Sequence, residues 1–302
     1  MTVRESEGRR LGTLCRLIGY TRQAYYGQQR MLEREAVRSE FVVQEVSRIR
    51  LEQKRVGARK LRHMMKEYLE GHGIGIGRDA FFGILREHGL LVRKRRTRKP
   101  RTTFSALWMK RYPNLVREFE PSAPNQLWVS DITYVRLREG FVYLSLITDA
   151  YSRKIVGYHI SASLSAKGCV SALRMAIKDN PQREGLIHHS DRGLQYYSTA
   201  YLKTLGPGVR ISMTEKGDPL ENAIAERVNG ILKQELLEQR FASLAEARSE
   251  VALAVNTYNH LRPHLSVDML TPAVAHTHHG PLKRLWKNYY RAIKTEAAQA
   301  MA

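Results

Sequence analysis

Three runs rich in β-branched and aromatic residues, Leu127–Leu137, Phe141–Thr148 and Lys154–Ser163, follow one another with only Glu139-Gly140 and Ala150-Tyr151-Ser152 as turns between them. Connections this short join antiparallel neighbours, because a parallel crossover needs about a dozen residues or more. The runs therefore predict a three-stranded meander. Beyond it the periodicity alternates. A helix at Ala166–Lys178, a strand at Leu186–His189, a helix at Ser198–Leu205 and a strand at Val209–Met213 lead into two long helices, Glu221–Gln239 and Leu244–Leu261. A meander followed by alternating helices and strands implies an α/β fold, a mixed sheet with helices on its faces.

The chain ahead of this region reads as helical. Leu11–Gln28 suggests two short helices around a Gly19-Tyr20 turn, the second opened by Thr21 as N-cap. In this helix-turn-helix pattern Arg22, Gln23 and Tyr26 are able to reach phosphates or base edges. Further helices are expected through Phe41, Val42, Val46 and Ile49, then Leu61, Met64, Met65, Tyr68 and Leu69, and, after the glycine-rich stretch 71–77, from Asp79 through Phe81, Phe82, Ile84 and Leu85. These form a second helical unit. Arg93, Lys94, Arg95, Arg96, Arg98, Lys99 and Arg101 then place seven cations in nine residues, a run that repels itself and suits an arm along phosphates. The expected organisation is a helical DNA-binding region (1–92), a basic linker (93–120), an α/β core (121–280) and a basic C-terminal helix and tail (281–302).

The 302 residues carry 50 Lys plus Arg against 29 Asp plus Glu, a net charge of +21. Residues 1–100 alone hold 24 basic and 11 acidic side chains. Such a field favours polyanions and disfavours small cationic substrates. A membrane is not the expected partner, because no apolar run approaches the ~18 residues that a spanning helix needs. Met1–Arg10 is polar and charged, unlike a signal peptide. Two cysteines, Cys15 and Cys169, supply neither a disulfide framework nor a four-cysteine metal site, and both read as buried thiols of a reducing compartment.

Three acids stand where charge is costly or well placed. Asp131 interrupts an apolar strand, Asp191 ends another, and Glu226 sits on a helix with Ala223, Ile224, Val228, Ile231 and Leu232. Converging carboxylates are hard ligands for Mg²⁺, and two such ions roughly 3.5–4 Å apart can serve phosphodiester chemistry. Lys233, seven residues after Glu226, shares its helix face and could meet a phosphate. Each acid taken singly also has an ordinary reading. Asp131 could pair with Arg138, Asp191 with Arg192, and Glu226 could be solvated, while Asp149 in Asp-Ala-Tyr-Ser-Arg suits a turn.

Taken together, Gln126-Leu-Trp-Val-Ser-Asp131-Ile-Thr-Tyr134, Asp149-Ala-Tyr-Ser-Arg-Lys-Ile-Val-Gly157, His189-Ser-Asp191-Arg-Gly193, Asn222-Ala-Ile-Ala-Glu226 and Tyr258-Asn259-His-Leu-Arg262-Pro263-His264 resemble the integrase-type core of bacterial insertion-sequence transposases. The step of 35 from Asp191 to Glu226 agrees within a residue with the family's Asp-Asp-35-Glu signature. The resemblance implies a ribonuclease H-like core binding two Mg²⁺, with Mn²⁺ as a substitute, through Asp131, Asp191 and Glu226. It also implies cleavage and strand transfer of double-stranded DNA at an element's terminal repeats and a target. A homo-oligomeric active complex, a cytoplasmic and nucleoid-associated location, and an upstream-frame partner or fusion with a helix-turn-helix and leucine zipper follow from it too. The rival reading is a DNA-binding regulator with an inert nuclease core. Two departures stand out. Glu221 replaces an aspartate of the usual pattern before the catalytic Glu, and the His-His-Cys-Cys zinc unit of retroviral integrases is missing. His188, His189, His276, His278 and His279 read as strand and loop residues, not metal ligands.

Overall fold

The computed structural model describes residues 11–17, 19–92, 112–117, 119–215 and 219–285. The described residues fall into two units, one within 11–52 and 57–92, the other within 53–56 and 112–285.

The first unit is helical. After α1 (11–17), Thr21 caps α2 (Arg22–Glu52), its hydroxyl accepting from Ala24 N at 3.0 Å. The sequence suggested a short helix ending near Gln28 and a separate one beyond it. They are one helix of 31 residues. No proline interrupts the stretch, Gly27 costs only about 1 kcal/mol in a helix interior, and the arginines, glutamates and glutamines around it are good helix formers. The helix expected through Leu61–Leu69 is instead broken at Met65 into α3 (Ala58–Met64) and α4 (Lys66–Gly71). With α5 (Arg78–Glu87), these bury Val42, Val46, Ile49, Leu61, Met65, Leu69, Phe81 and Leu85.

In the second unit β1 (Leu127–Arg136), β2 (Phe141–Asp149) and β3 (Ile155–Ser161) form the expected antiparallel meander. β4 (Ile187–Ser190) and β5 (Arg210–Met213) join on the other side of β1, both parallel, giving the order β3-β2-β1-β4-β5. Crossover helices supply the reach that parallel pairing demands. These are α6 (Ala166–Asp179) between β3 and β4, and α7 (Leu194–Tyr197) and α8 (Thr199–Leu205) between β4 and β5. After β5, a 3₁₀ turn (Pro219–Asn222) opens α9 (Ala223–Ile231), which passes into a π turn (Leu232–Leu236). α10 (Leu244–His260) and α11 (Pro272–Ala275) follow.

Alternation along the strands gives each sheet face its own core. Trp128, Ile147 and Val156 pack against Cys169, Leu173 and Ala176 of α6 and Tyr201 and Leu205 of α8. On the opposite face Val135, Val142, Leu144, Leu146, Ile155 and Ile160 meet Val228 and Ile231 of α9 and Val251, Val255 and Tyr258 of α10. Asp149 is fully buried in its turn, its Oδ1 accepting from Ser152 N and Oγ, both at 2.8 Å, and its Oδ2 from Asn125 N at 2.7 Å.

Candidate active site

β1 and β4 run parallel with Ser130 opposite Ser190, so one further step along both strands sets Asp131 beside Asp191. Asp191 is the first residue past the ladder. Its Oδ1 accepts from Gly193 N at 3.0 Å, and a Cβ at position 193 would fall 3.0 Å from that same oxygen. Glycine thus permits the backbone to close on the carboxylate. Asp131 Oδ1 accepts from Ile132 N at 2.9 Å and Oδ2 from Asn229 Nδ2 at 2.7 Å. The pairing with Arg138 that the strand pattern also allowed is not made by these oxygens. Burial, then the charge of Asp191, push the Asp131 carboxyl up to about 7, against the pull of the Asn229 and Ile132 N–H groups; Glu226 adds to the rise. Burial also raises Asp191, opposed by the Gly193 N–H.

Glu226 lies in the first turn of α9 and is exposed. Its spacing to Asn222, Asn229 and Lys233 is minus four, plus three and plus seven, one side of the helix. Each of those three neighbours reaches β1. Asn222 Nδ2 donates to Ser130 O at 3.0 Å, Asn229 donates to Asp131, and Lys233 Nζ stands 5.0 Å from the centre of the Tyr134 ring. The sequence reading singled out Glu226 and Lys233, named Asn222 as a motif residue without giving it a role, and missed Asn229. The signal available was the recurrence of polar side chains at helical spacing around Glu226.

Other expectations fall elsewhere. Among the described residues no group of three His, Cys, Asp or Glu side chains is drawn together as a ready-made metal cluster. Asp131 and Asp191 are set into the sheet while Glu226 stands on an exposed helix turn, which keeps three like charges from crowding. His188 Nε2 is 2.9 Å from Tyr201 Oη, and His189 bridges Ser212 Oγ (2.8 Å) and Glu221 O (3.0 Å), so both serve the sheet. His276 Nδ1 meets Ser152 Oγ at 2.9 Å, while His278 and His279 are exposed. Glu221 is a loop brace, its carboxylate accepting from Glu215 N (2.9 Å) and Asn114 Nδ2 (3.3 Å). Arg22, Gln23 and Tyr26 are exposed at the start of α2. Arg93, Lys94, Arg95, Arg96, Arg98 and Lys99 lie outside the described residues, as does the basic stretch beyond 285. Cys15 and Cys169 are free and buried. No helix among the described residues is long and apolar enough to cross a membrane.

The donor set suits a hard divalent cation. All three groups offer carboxylate oxygens, and the partners of Asp131 and Asp191 are neutral N–H groups that orient without neutralising. The repulsion that lifts Asp131 is the kind a bound cation relieves.

Known proteins resemble this chain over most of its length. The family model described as integrase core domain matches residues 121–219, and a second of that description matches 207–272. A 31 kDa protein of insertion element IS600 from Shigella sonnei is 35% identical over 271 residues, covering 86% of this chain and 96% of that protein. The transposase for insertion sequence element IS629 from Shigella sonnei is 31% identical over 301 residues, covering 96% of this chain and 95% of that protein. Among solved structures, a chain of the simian T-cell lymphotropic virus intasome is 19% identical with a TM-score of 0.46, covering 76% of this chain and 74% of that one. With a mixed sheet of order β3-β2-β1-β4-β5 and two of the acids at its central strands, the chain belongs to the insertion-sequence transposases with an integrase core.

Proposed function

We propose that this chain cuts DNA at the ends of an insertion sequence and joins the exposed end to a new site. The single observation carrying this reading is the meeting of Asp131 and Asp191 on adjacent parallel strands, with Glu226 on the helix that hydrogen-bonds Asp131. Asp131, Asp191 and Glu226 would hold divalent cations, two Mg²⁺ with Mn²⁺ as substitute. When bound, such ions polarise the phosphodiester and favour an attacking and a leaving oxygen in line. In cleavage, water forms a new P–O bond, the P–O3′ bond breaks, and a free 3′-hydroxyl remains. In transfer that hydroxyl forms a P–O bond at the target and the target's own P–O3′ bond breaks. No enzyme side chain becomes covalently attached.

The remaining assignments belong to the same proposal. Lys233, steadied over Tyr134, meets a phosphate; Arg22, Gln23, Tyr26 and the cations Arg93, Lys94, Arg95, Arg96, Arg98 and Lys99 hold the terminal repeats. The division of labour follows a DNA-binding region (1–92), a linker (93–120), the core (121–280) and a basic tail (281–302). The active complex is a homo-oligomer, because two element ends must be joined in concert, and it works on the bacterial nucleoid with an upstream-frame partner or fusion.

The test is a cleavage and strand-transfer assay on DNA carrying the element's ends, with Mg²⁺, Mn²⁺ or EDTA. Metal-dependent nicking is expected from wild type, with Glu226→Gln, Asp131→Asn and Asp191→Asn each reduced at least about 10³-fold while end binding is retained. Binding without cutting by wild type under any metal, even with the upstream partner added, would sink the proposal in favour of an inert core.

A further inference from the structure

Asn222 and Asn229 are an expensive pair to place here. They are 7% and 5% exposed, and the Oδ1 of each is buried with no hydrogen-bond partner among the described residues. An unsatisfied buried carbonyl costs about 1–3 kcal/mol. Asn229, inside α9, is also a mediocre helix former, and Asn222, the N-cap of α9, makes no side-chain capping bond, so neither amide is there for the helix itself. What each amide supplies is one N–H aimed at β1, to Ser130 O at 3.0 Å and to Asp131 Oδ2 at 2.7 Å. Ser130 and Asp131 are adjacent on the strand, and in sequence Glu226 lies between Asn222, at the N-cap of α9, and Asn229, inside it. A carboxylate torsion is broad and roughly two-fold, so Asp131 has no fixed plane of its own. Ile132 N on one oxygen and Asn229 on the other give it one. An amide does this without charge, leaving the carboxylate's full negative charge for a cation, as an arginine or lysine in its place would not.

We propose that Asn222 and Asn229 are positioning residues, a two-point bracket that pins α9 to β1 and sets the Glu226 carboxylate against Asp131 so that both act on the same cations. The inference rests on the strand-transfer reading above. Its test uses the full chain as wild type, Asn229→Leu and Asn222→Ala. Three quantities are measured: thermal midpoint in metal-free buffer, Mn²⁺ affinity by electron paramagnetic resonance of the free ion, and strand transfer at fixed DNA over a Mn²⁺ series.

The expected result for Asn229→Leu is a midpoint close to that of wild type, because relief of the unpartnered Oδ1 offsets the lost bond to Asp131, with Mn²⁺ bound about 10- to 100-fold more weakly, the usual size of a loss behind a ligand. Strand transfer should fall by a similar factor at low Mn²⁺ and recover in part as Mn²⁺ rises. Asn222→Ala is expected to move Mn²⁺ affinity and strand transfer in the same direction, and it carries the test should the leucine variant not fold. Unchanged Mn²⁺ affinity in either folded variant overturns the bracket, whether activity is kept or falls only in step with a lower melting temperature. A wild-type chain that neither binds Mn²⁺ nor transfers strands overturns the function itself, and is told apart by needing no variant at all.

Discussion

His188 and His189 stand side by side on β4, and burial holds both imidazoles neutral, His188 down to about 3 and His189 to about 4. A histidine whose folded value is depressed contributes stability that is complete above about pH 6.5 and is lost as pH falls toward the folded value, because the unfolded chain takes up the proton first. Asp131, raised to about 7, has the opposite sign, since its folded form gains a proton earlier than its unfolded form. The histidine effect is therefore read as a difference. Denaturant titrations should show wild type losing stability relative to His188→Gln by about 1.4 kcal/mol per pH unit between about pH 6 and 4; a pH-independent difference would mean that His188 is not buried neutral. At this scale the sequence was most legible where a residue violated its surroundings. Asp131 in an apolar strand is such a violation. Asn222 and Asn229 violate nothing in one dimension, and their partners, 92 and 98 residues away, become visible only after folding.

Gly157 shows how an element is seated. A Cβ there would lie 2.2 Å from Ala172 O and 3.0 Å from Ala176 Cβ, so the glycine lets α6 lie directly on β3. A backbone carbonyl cannot step aside as a side-chain tip can. Gly157→Ala is expected to cost about 1–3 kcal/mol or more by overpacking, read as a lower urea midpoint, and an unchanged midpoint would show that α6 shifts freely. The edge of the same strand is tied to α10 by Asn259, whose Oδ1 accepts from Ile155 N at 2.9 Å and whose Nδ2 donates to Ile155 O at 3.0 Å. Arg262, 1% exposed, grips the Glu235 carboxylate of the π turn through Nε and Nη2 at 2.9–3.0 Å. The Tyr258–His264 motif therefore includes fasteners between helix, strand and turn. Strand order of appearance and strand type were readable from period-two patterning, whereas the unbroken α2 and the π turn were not, because periodicity locates apolar faces better than it locates helix ends.

For the molecule as a whole, a net charge of +21 makes DNA binding a matter of counterion release. If six to ten phosphates are contacted, affinity for terminal-repeat DNA should drop about 10³- to 10⁵-fold between 50 and 200 mM salt. A fluorescence-anisotropy titration over that range measures it, and a flat salt dependence would remove the basic surface from the binding account. Composition, the antiparallel meander, the alternating second half and the Asp191-to-Glu226 spacing were all determined by the sequence itself, since charge, local period and turn length act between near neighbours along the chain. Tertiary structure alone decided that β4 pairs parallel with β1 so that Asp131 and Asp191 meet, and that α9 docks with its asparagines on that strand. Those relations depend on which surfaces bury each other across long loops, and no local pattern encodes the register of a parallel pair whose strands lie some 60 residues apart.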